Sequence, residues 1–337
     1  MKERLIRTLK RWVLGNRLPV YIISQEPLIC IAYWEDYVKN AAAISAVLAT
    51  RKTAYFLFQL GWHRETTERA RELREEAEKY AISSCRFIFL TNSERESELL
   101  AAERLNPEFI HQNALVDERR YRIIRAEKKY DAIYIARITP FKRHQLAALI
   151  PRLRLIGDHS QPELSYFEKT MQRLSHADWT RKIWGRKVSQ AIAQAHTGLC
   201  LSAEEGAMFV SIEYLLSGCP VVSTENLGGR NAFFRDDYAV MVKDTPEAVA
   251  EGVQAMMRRH PDSTIIREET IRRMETFRQR FKVLIQNIYA QEHVSRPFAE
   301  EWPRVFVHKF GLRCPTWTIP GRKFLHPSPD FQAKGKS

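Results

Sequence analysis

The chain has 337 residues, 45% of them hydrophobic and 11% aromatic, and no low-complexity run longer than a few residues, which argues against a disordered or fibrous protein. Its net charge of +13 directs attention to polyanions, whether anionic lipid, nucleotide phosphate or nucleic acid. Five widely spread cysteines without a C-x-x-C pair argue against a disulfide framework or zinc site. No apolar run approaches the roughly 20 residues of a spanning helix, and the N-terminus lacks a signal-peptide core, so a cytoplasmic location in a reducing compartment is expected.

The length suits two domains with a cleft between them. The first residues, MKERLIRTLKRWVL, place Leu5, Ile6, Leu9, Trp12 and Val13 at helical spacing, with Lys2, Arg4, Arg7, Lys10 and Arg11 largely opposite. That pattern predicts a basic amphipathic helix, either lying in an anionic membrane interface or packed on its own domain. From Val20 to about Ile124, β-rich runs (VYIIS, LICIAY, AYFLFQL, RFIFLTN) alternate with helical ones such as ETTERARELREEAEKYA, which predicts an α/β domain over residues 1–125. RAEKKYD at 125–131 reads as a charged connector. Strand and helix then alternate again through YDAIYIAR, a helical FKRHQLAALIPRL, LRLIGD, GLCLSA, a helix to Ser217 and PVVST, which predicts a parallel, doubly wound sheet in a second domain over 126–288. The remainder, 289–337, is irregular; from Pro303 it carries seven Lys or Arg against a single Asp, and we expect it to pack back on the first domain.

Ligands of open parallel sheets bind beyond the carboxyl ends of the strands, so two strand-to-helix junctions carry the chemistry. In YIARITPFKRH a β-run ends at Ala136, Arg137 follows, Pro140 suits a first helical turn, and Lys142 comes five residues after the arginine. A guanidinium and an ammonium at one strand end suit a diphosphate, although solvated surface cations would look the same. In EEGAMFVSIEYLLSGCPVVST, Glu205 lies in a loop and Glu213 in the first turn of a helix that Gly218 and Pro220 terminate. The small Gly206 and Ala207 let backbone N–H groups approach an anion, while the two carboxylates suit sugar hydroxyls. A capping glutamate beside a loop glutamate is the plain alternative.

Together the junctions resemble the C-terminal domain of retaining GT-B glycosyltransferases of family 4, the group with lipopolysaccharide and phosphatidylinositol glycosyltransferases. The family's G-R-L-x-P-x-K-G, E-x7-E, E-A-x-A-x-G-x-P-V-V and Gly-Gly turn are matched here by A-R-I-T-P-F-K-R, Glu205 with Glu213, E-Y-L-L-S-G-C-P-V-V, and Gly228-Gly229, over roughly residues 130–260. The resemblance implies a GT-B fold of two Rossmann-like domains whose parallel, doubly wound sheets face a central cleft. It implies that Arg137 and Lys142 hold the donor diphosphate, Glu205 faces the donor sugar and Glu213 the ribose, with Gly206, Ala207, Met208, Phe209, Gly228 and Gly229 lining the donor. Ala136 and Arg143 stand where the family has glycines, and Arg230-Asn231 follows the Gly-Gly pair where an acidic residue is common. In the first domain, LGWHRE after a strand makes His63 a candidate on the acceptor side, and Asn92 and Ser93 occupy another strand end.

The resemblance implies glycosyl transfer from a nucleotide diphosphate sugar to an acceptor hydroxyl with retention, and the expected setting is bacterial cell-surface polysaccharide, lipopolysaccharide or glycolipid synthesis, peripheral to the inner membrane face. No D-x-D triplet occurs, so neither a metal nor another cofactor is expected, the two cations serving instead. The expected partners are the nucleotide-sugar donor, a glycan or lipid-linked acceptor and an anionic membrane. A DNA-modifying GT-B enzyme, with nucleic acid as partner, and a non-catalytic sugar-nucleotide-binding subunit are the alternatives.

Overall fold

The computed structural model describes residues 17–18, 20–48, 53–305 and 314–315. Its described residues form two compact units, one from residues up to Leu115 together with those from Arg278 onward, the other Val116–Phe277. These boundaries differ from 125 and 288, because the segment between Leu115 and the charged stretch at 122–129 stays with the second unit, as does the first half of a long helix. The amphipathic pattern in residues 1–14 and most of the basic tail lie outside the described residues.

The first unit contains β1 (Arg17–Leu18), β2 (Val20–Gln25), β3 (Leu28–Tyr33), α1 (Trp34–Leu48), β4 (Ala54–Gln59), α2 (Thr67–Lys79), β5 (Cys85–Thr91), α3 (Glu94–Ala102) and β6 (Pro107–Phe109). Its five-stranded sheet runs β2-β3-β4-β5-β6. The last four strands are parallel, and β2 joins β3 as an antiparallel hairpin, an edge that the expectation of a wholly parallel sheet did not include. Residues 28–33 and 54–59 are apolar at nearly every position because both sheet faces are covered. Trp34, Tyr37, Phe56, Phe58 and Phe89 pack on one face. Ile29, Ile31, Tyr55 and Leu57 face the other way, alternation that the period of two requires.

The second unit holds β7 (Tyr130–Ile135), β8 (Leu153–Ile156), α4 (Leu164–Arg173), β9 (Asp178–Thr180), α5 (Arg186–Ala193), β10 (Ala195–Cys200), α6 (Phe209–Leu216), β11 (Val221–Thr224), β12 (Ala239–Val242) and α7 (Pro246–Arg259). Helix α8 (Ser263–Gln291) passes from this unit into the first, followed there by α9 (Phe298–Val305) and by β13 (Cys314–Pro315), which pairs with β1. The second sheet is wholly parallel in the order β12-β11-β10-β7-β8-β9. From β7 the chain steps outward through β8 and β9, then returns to the other side of β7 for β10, β11 and β12. The direction of winding therefore reverses between β7 and β10, and this switch point is where a doubly wound sheet opens a crevice beyond its strand ends.

The helix expected over 141–153 is instead two short 3-10 turns, Pro140–Lys142 and His144–Ala147. They are separated by Arg143, whose left-handed backbone (φ +51°, ψ +47°) breaks the helical path.

Candidate active site in the second unit

The site is built from the strand ends at that switch point. Helix α6 is seated by Tyr214, whose ring packs against Gly198 of β10; a Cβ there would lie 2.4 Å from the ring. The Tyr214 hydroxyl accepts from the Ile135 N–H at 2.9 Å and donates to the Ile133 carbonyl at 3.2 Å, pinning α6 across β7 and β10. The loop 202–208 ahead of α6 is then zipped to the segment after β11. The Glu205 N–H donates to the Leu227 carbonyl at 3.0 Å, and the Leu227 N–H to the Ala203 carbonyl at 2.9 Å. Gly228 (φ +107°) completes this junction, since a Cβ there would fall 1.8 Å from the Glu205 carbonyl oxygen.

Within this frame Glu205 is 7% exposed. Its Oε1 accepts from the Lys142 ammonium and from the Ser202 hydroxyl, the latter at 2.6 Å. Lys142 reaches it from the first 3-10 turn, which Tyr134 anchors by donating to the Lys142 carbonyl at 2.5 Å. Arg230 lies fully buried behind the loop. It donates to the Ser202 carbonyl at 2.8 Å, to the Ser202 hydroxyl at 3.1 Å and to the Thr224 carbonyl at 2.6 Å. Burial draws the guanidinium's pKa below its ordinary value, with Cys200 and Glu205 opposing that shift. The arrangement is a cluster of two cations, Lys142 and Arg230, around one carboxylate, Glu205, with Ser202 bridging Glu205 and Arg230. His144 adds no cation to it: burial first, and the nearby Lys142 second, hold its pKa down at about 3.

Arg143 shows how this chain fills a position that glycine occupies in the resembling family. Its guanidinium donates to the Leu201 carbonyl at 2.6 Å and the Thr224 hydroxyl at 2.7 Å, and it pairs with Asp244 at 3.0 Å. These bonds tie the ends of β10 and β11 to the Lys142 turn and offset the left-handed strain of about 1–2 kcal/mol.

Residues 132–259 match the model of the family Glycosyl transferases group 1. Every donor-side residue predicted above falls inside that segment. Solved structures share the two-unit fold: sucrose-phosphate synthase from Thermosynechococcus elongatus has a TM-score of 0.59 at 14% identity, over 76% of this chain and 79% of its own. AviGT4, a glycosyltransferase involved in avilamycin A biosynthesis, has a TM-score of 0.52 at 19% identity over 74% and 79%. HepE of Anabaena, in complex with UDP, has a TM-score of 0.51 at 14% identity over 78% of each chain. No curated protein sequence matches the chain. The fold is GT-B, and with the group 1 match it supports a glycosyltransferase.

In the group 1 segment, Lys142 and Glu205 come together as an ion pair, with Gly228 closed against the same loop. Gly206, Ala207 and Met208 are buried in that loop, and Met208 takes a positive φ of 44° as it enters α6 at the half-buried Phe209. Gly229 opens a 3-10 turn, Gly229–Phe233, that carries Arg230 inward. Arg137 stands exposed at the end of β7, 4.0 Å from Glu163 and with its guanidinium 5.8 Å from the Phe141 ring centroid. Hydrogen bonds from Ser160 and Thr139, with Arg137 as a lesser cause, hold Glu163 down at about 2. Glu213 lies in the second turn of α6 rather than the first, because the helix begins only at Phe209, and it accepts from the Tyr121 hydroxyl at 2.7 Å. His63 belongs to the first unit, where it is buried against the Arg69 guanidinium and accepts from the Glu65 N–H at 3.3 Å. The residue missed from sequence is Arg230; its signal was a basic residue directly after the Gly-Gly pair. Among the described residues, no three His, Cys, Asp or Glu side chains are grouped to hold a metal, and no helix is long and apolar enough to cross a membrane.

Proposed function

We propose that the chain is a retaining, metal-independent glycosyltransferase that moves a sugar from a nucleotide diphosphate donor to an acceptor hydroxyl. The observation that carries this reading is the convergence of Lys142 and Glu205 at the switch point of the second sheet, inside the group 1 segment. An arriving diphosphate competes with Glu205 for the Lys142 ammonium. The pair then opens, leaving the ammonium against phosphate and the carboxylate free to accept from sugar hydroxyls. Arg137, exposed at the adjoining strand end, supplies the second cation. As the glycosidic bond breaks, negative charge grows on the leaving diphosphate, and two fixed cations stabilise that charge more than they stabilise the ground state. Attack by the acceptor on the face that the diphosphate leaves, with the departing phosphate taking the hydroxyl proton, gives retention without a protein nucleophile. Glu213 serves the ribose by exchanging its Tyr121 bond for a ribose hydroxyl. His63 is assigned to the acceptor side in the first unit.

The acceptor we propose is a glycan or lipid-linked sugar of bacterial cell-surface polysaccharide, lipopolysaccharide or glycolipid, with the enzyme peripheral to the inner face of the membrane. The net charge of +13 supports that location. UDP-sugars are the first donors to examine, given the UDP held by HepE. The test measures nucleoside diphosphate release and binding across a panel of nucleotide sugars. Wild type is expected to bind and turn over one donor, and Lys142→Ala and Glu205→Ala are each expected to lower turnover by about 100-fold or more. If no nucleotide sugar binds to the wild-type chain, the assignment is wrong.

A further inference from the structure

The carboxyl edge of the second sheet carries a feature that donor binding does not use. Beyond β9, residues 181–185 run without regular structure into α5, whose first two residues are Arg186 and Lys187, and in this stretch (RKIWGRK) all but Ile183 are exposed. The segment holds Arg181, Lys182, Arg186 and Lys187 and no acid. Trp184 is 69% exposed, more than any other large apolar side chain among the described residues, and the Lys182 ammonium lies 5.8 Å from its ring centroid. Arg181 lies 3.8 Å from the Asp158 carboxylate; among the described residues, the other three cations have no carboxylate partner. A Cβ on Gly185 would meet nothing within 4 Å, so the tip projects into open space.

Local stability does not explain these choices. Arg186 and Lys187 occupy the first turn of α5, which holds no acid, although the N-terminal end of a helix favours anions by about 0.3–1 kcal/mol each. An exposed indole likewise leaves apolar surface in water. Such departures from local preference collect at functional surfaces.

The position is equally informative. In the sheet order β7-β8-β9, two strand spacings separate the end of β9 from that of β7, about 10 Å along the edge that bears Arg137. Asp158 links the two, accepting from the Ile138 N–H at 2.9 Å through its carbonyl while its side chain pairs with Arg181.

We infer that the 181–187 loop docks on an anionic phospholipid surface, with Trp184 in the head-group layer and Lys182, Arg186 and Lys187 against lipid phosphates. This rests on the transferase reading and names the surface that brings a lipid-borne acceptor to the donor edge. An indole is amphipathic and settles at membrane boundaries, and clustered cations add attraction to acidic lipid. Single-stranded nucleic acid fits less well, because successive bases need several aromatic platforms and this loop has one.

The test uses the full chain with phosphatidylcholine–phosphatidylglycerol vesicles beside pure phosphatidylcholine vesicles, at low and high salt. Wild type binds the anionic vesicles in a salt-sensitive way. Neutralising two lysines in Lys182→Gln/Lys187→Gln weakens that binding by about 30-fold, while the residual is attributed to the basic N-terminal residues. Trp184→Phe removes a component of fluorescence quenched by bromine-labelled lipid. The double variant unfolds at no lower temperature than wild type, because it relieves the unfavourable charge at the α5 N-terminus. Nucleotide-sugar binding is measured on the same samples and stays unchanged. Loss of donor binding in wild type would count against the transferase reading alone, since vesicle binding is read separately. Equal vesicle binding by wild type and double variant overturns the inference, as does wild type binding neither vesicle. A loop-dependent shift of oligonucleotides without vesicle binding overturns it in favour of nucleic acid.

Discussion

Glu96 is the most unusual carboxyl group in the first unit. It is 1% exposed in α3, and its two oxygens accept from the backbone N–H of Asn92 at 2.8 Å and of Arg64 at 2.7 Å. It thereby clasps the loop after β4, which carries His63, to the loop after β5. Burial outweighs these hydrogen bonds and raises its pKa to about 7, with Glu65 adding to the rise and Arg64 opposing it. Because the folded-state pKa lies above the unfolded one, the folded chain binds this proton more firmly than the unfolded chain does. The stabilising contribution is therefore full below about 4.5 and is lost as pH rises through about 7. In Glu96→Gln that dependence disappears, so the stability of wild type relative to the variant falls across this interval and is flat above it. Urea unfolding at a series of pH values measures the difference, and a constant difference from pH 5 to 8 would refute the assignment. The clasp itself opposes the upward shift: ionised Glu96 makes the stronger bonds to the two N–H groups even while its burial is unfavourable.

At the scale of elements, the loop between β10 and α6 depends on contacts with the segment after β11 more than on its own sequence. Gly228 and Gly185 test this, because both have positive φ, +107° and +62°, in regions that side chains rarely adopt. Strain alone costs Gly185→Ala about 1–3 kcal/mol, since its Cβ would meet nothing. Gly228→Ala carries similar strain and also drives a Cβ against the Glu205 carbonyl oxygen, so the loop must move. It is expected to unfold at a lower temperature than Gly185→Ala and to weaken donor binding by more than tenfold, about 1.4 kcal/mol; equal stability and intact binding would show that the loop is not held this way. The same contrast explains what the sequence could reveal. The strands 28–33 and 54–59 were legible because both sheet faces are buried and the runs are apolar at nearly every position. The Lys142 turn was misjudged as a helix because Arg143, a good helix former, takes a left-handed backbone stabilised by bonds to Leu201 and Thr224, both remote in sequence. For Arg230 only its place after the Gly-Gly pair was legible and its inward role was not: its acceptors are a loop carbonyl at Ser202 and a strand-end carbonyl at Thr224, which only the folded sheet brings together. The β2–β3 hairpin escaped notice because two adjacent apolar runs read alike whether they pair parallel or antiparallel.

At the scale of the whole molecule, the chain returns to its beginning. The face of the first sheet formed by Tyr21, Ile23, Ile29, Ile31, Tyr55 and Leu57 is packed by Phe281, Ile285, Ile288, Tyr289, Phe298 and Trp302, all from the C-terminal part of the chain. Polar contacts join the same parts: the Tyr21 hydroxyl donates to the Val305 carbonyl at 2.6 Å, the Tyr55 hydroxyl to Glu292 at 2.6 Å and the Arg278 guanidinium to the Ala114 carbonyl at 2.8 Å. Large apolar side chains contribute about 1.5–3 kcal/mol each on burial, so those six are worth on the order of 10–15 kcal/mol, as much as the entire net stability of a typical domain. Ending the chain at Phe277 would therefore leave the first unit without a folded state, whereas residues 116–277 keep their sheet and helices α4 to α7. We expect the segment 116–277 produced alone to unfold cooperatively on heating, and the segment 1–277 to show only that same transition, with the first unit susceptible to protease. Restoring residues 278–305 should return a second set of protected amides, measurable by hydrogen exchange over 28–33 and 54–59. Protection of those strands in the chain ending at Phe277 would show that the first sheet does not need its C-terminal cover, and the burial argument would fail.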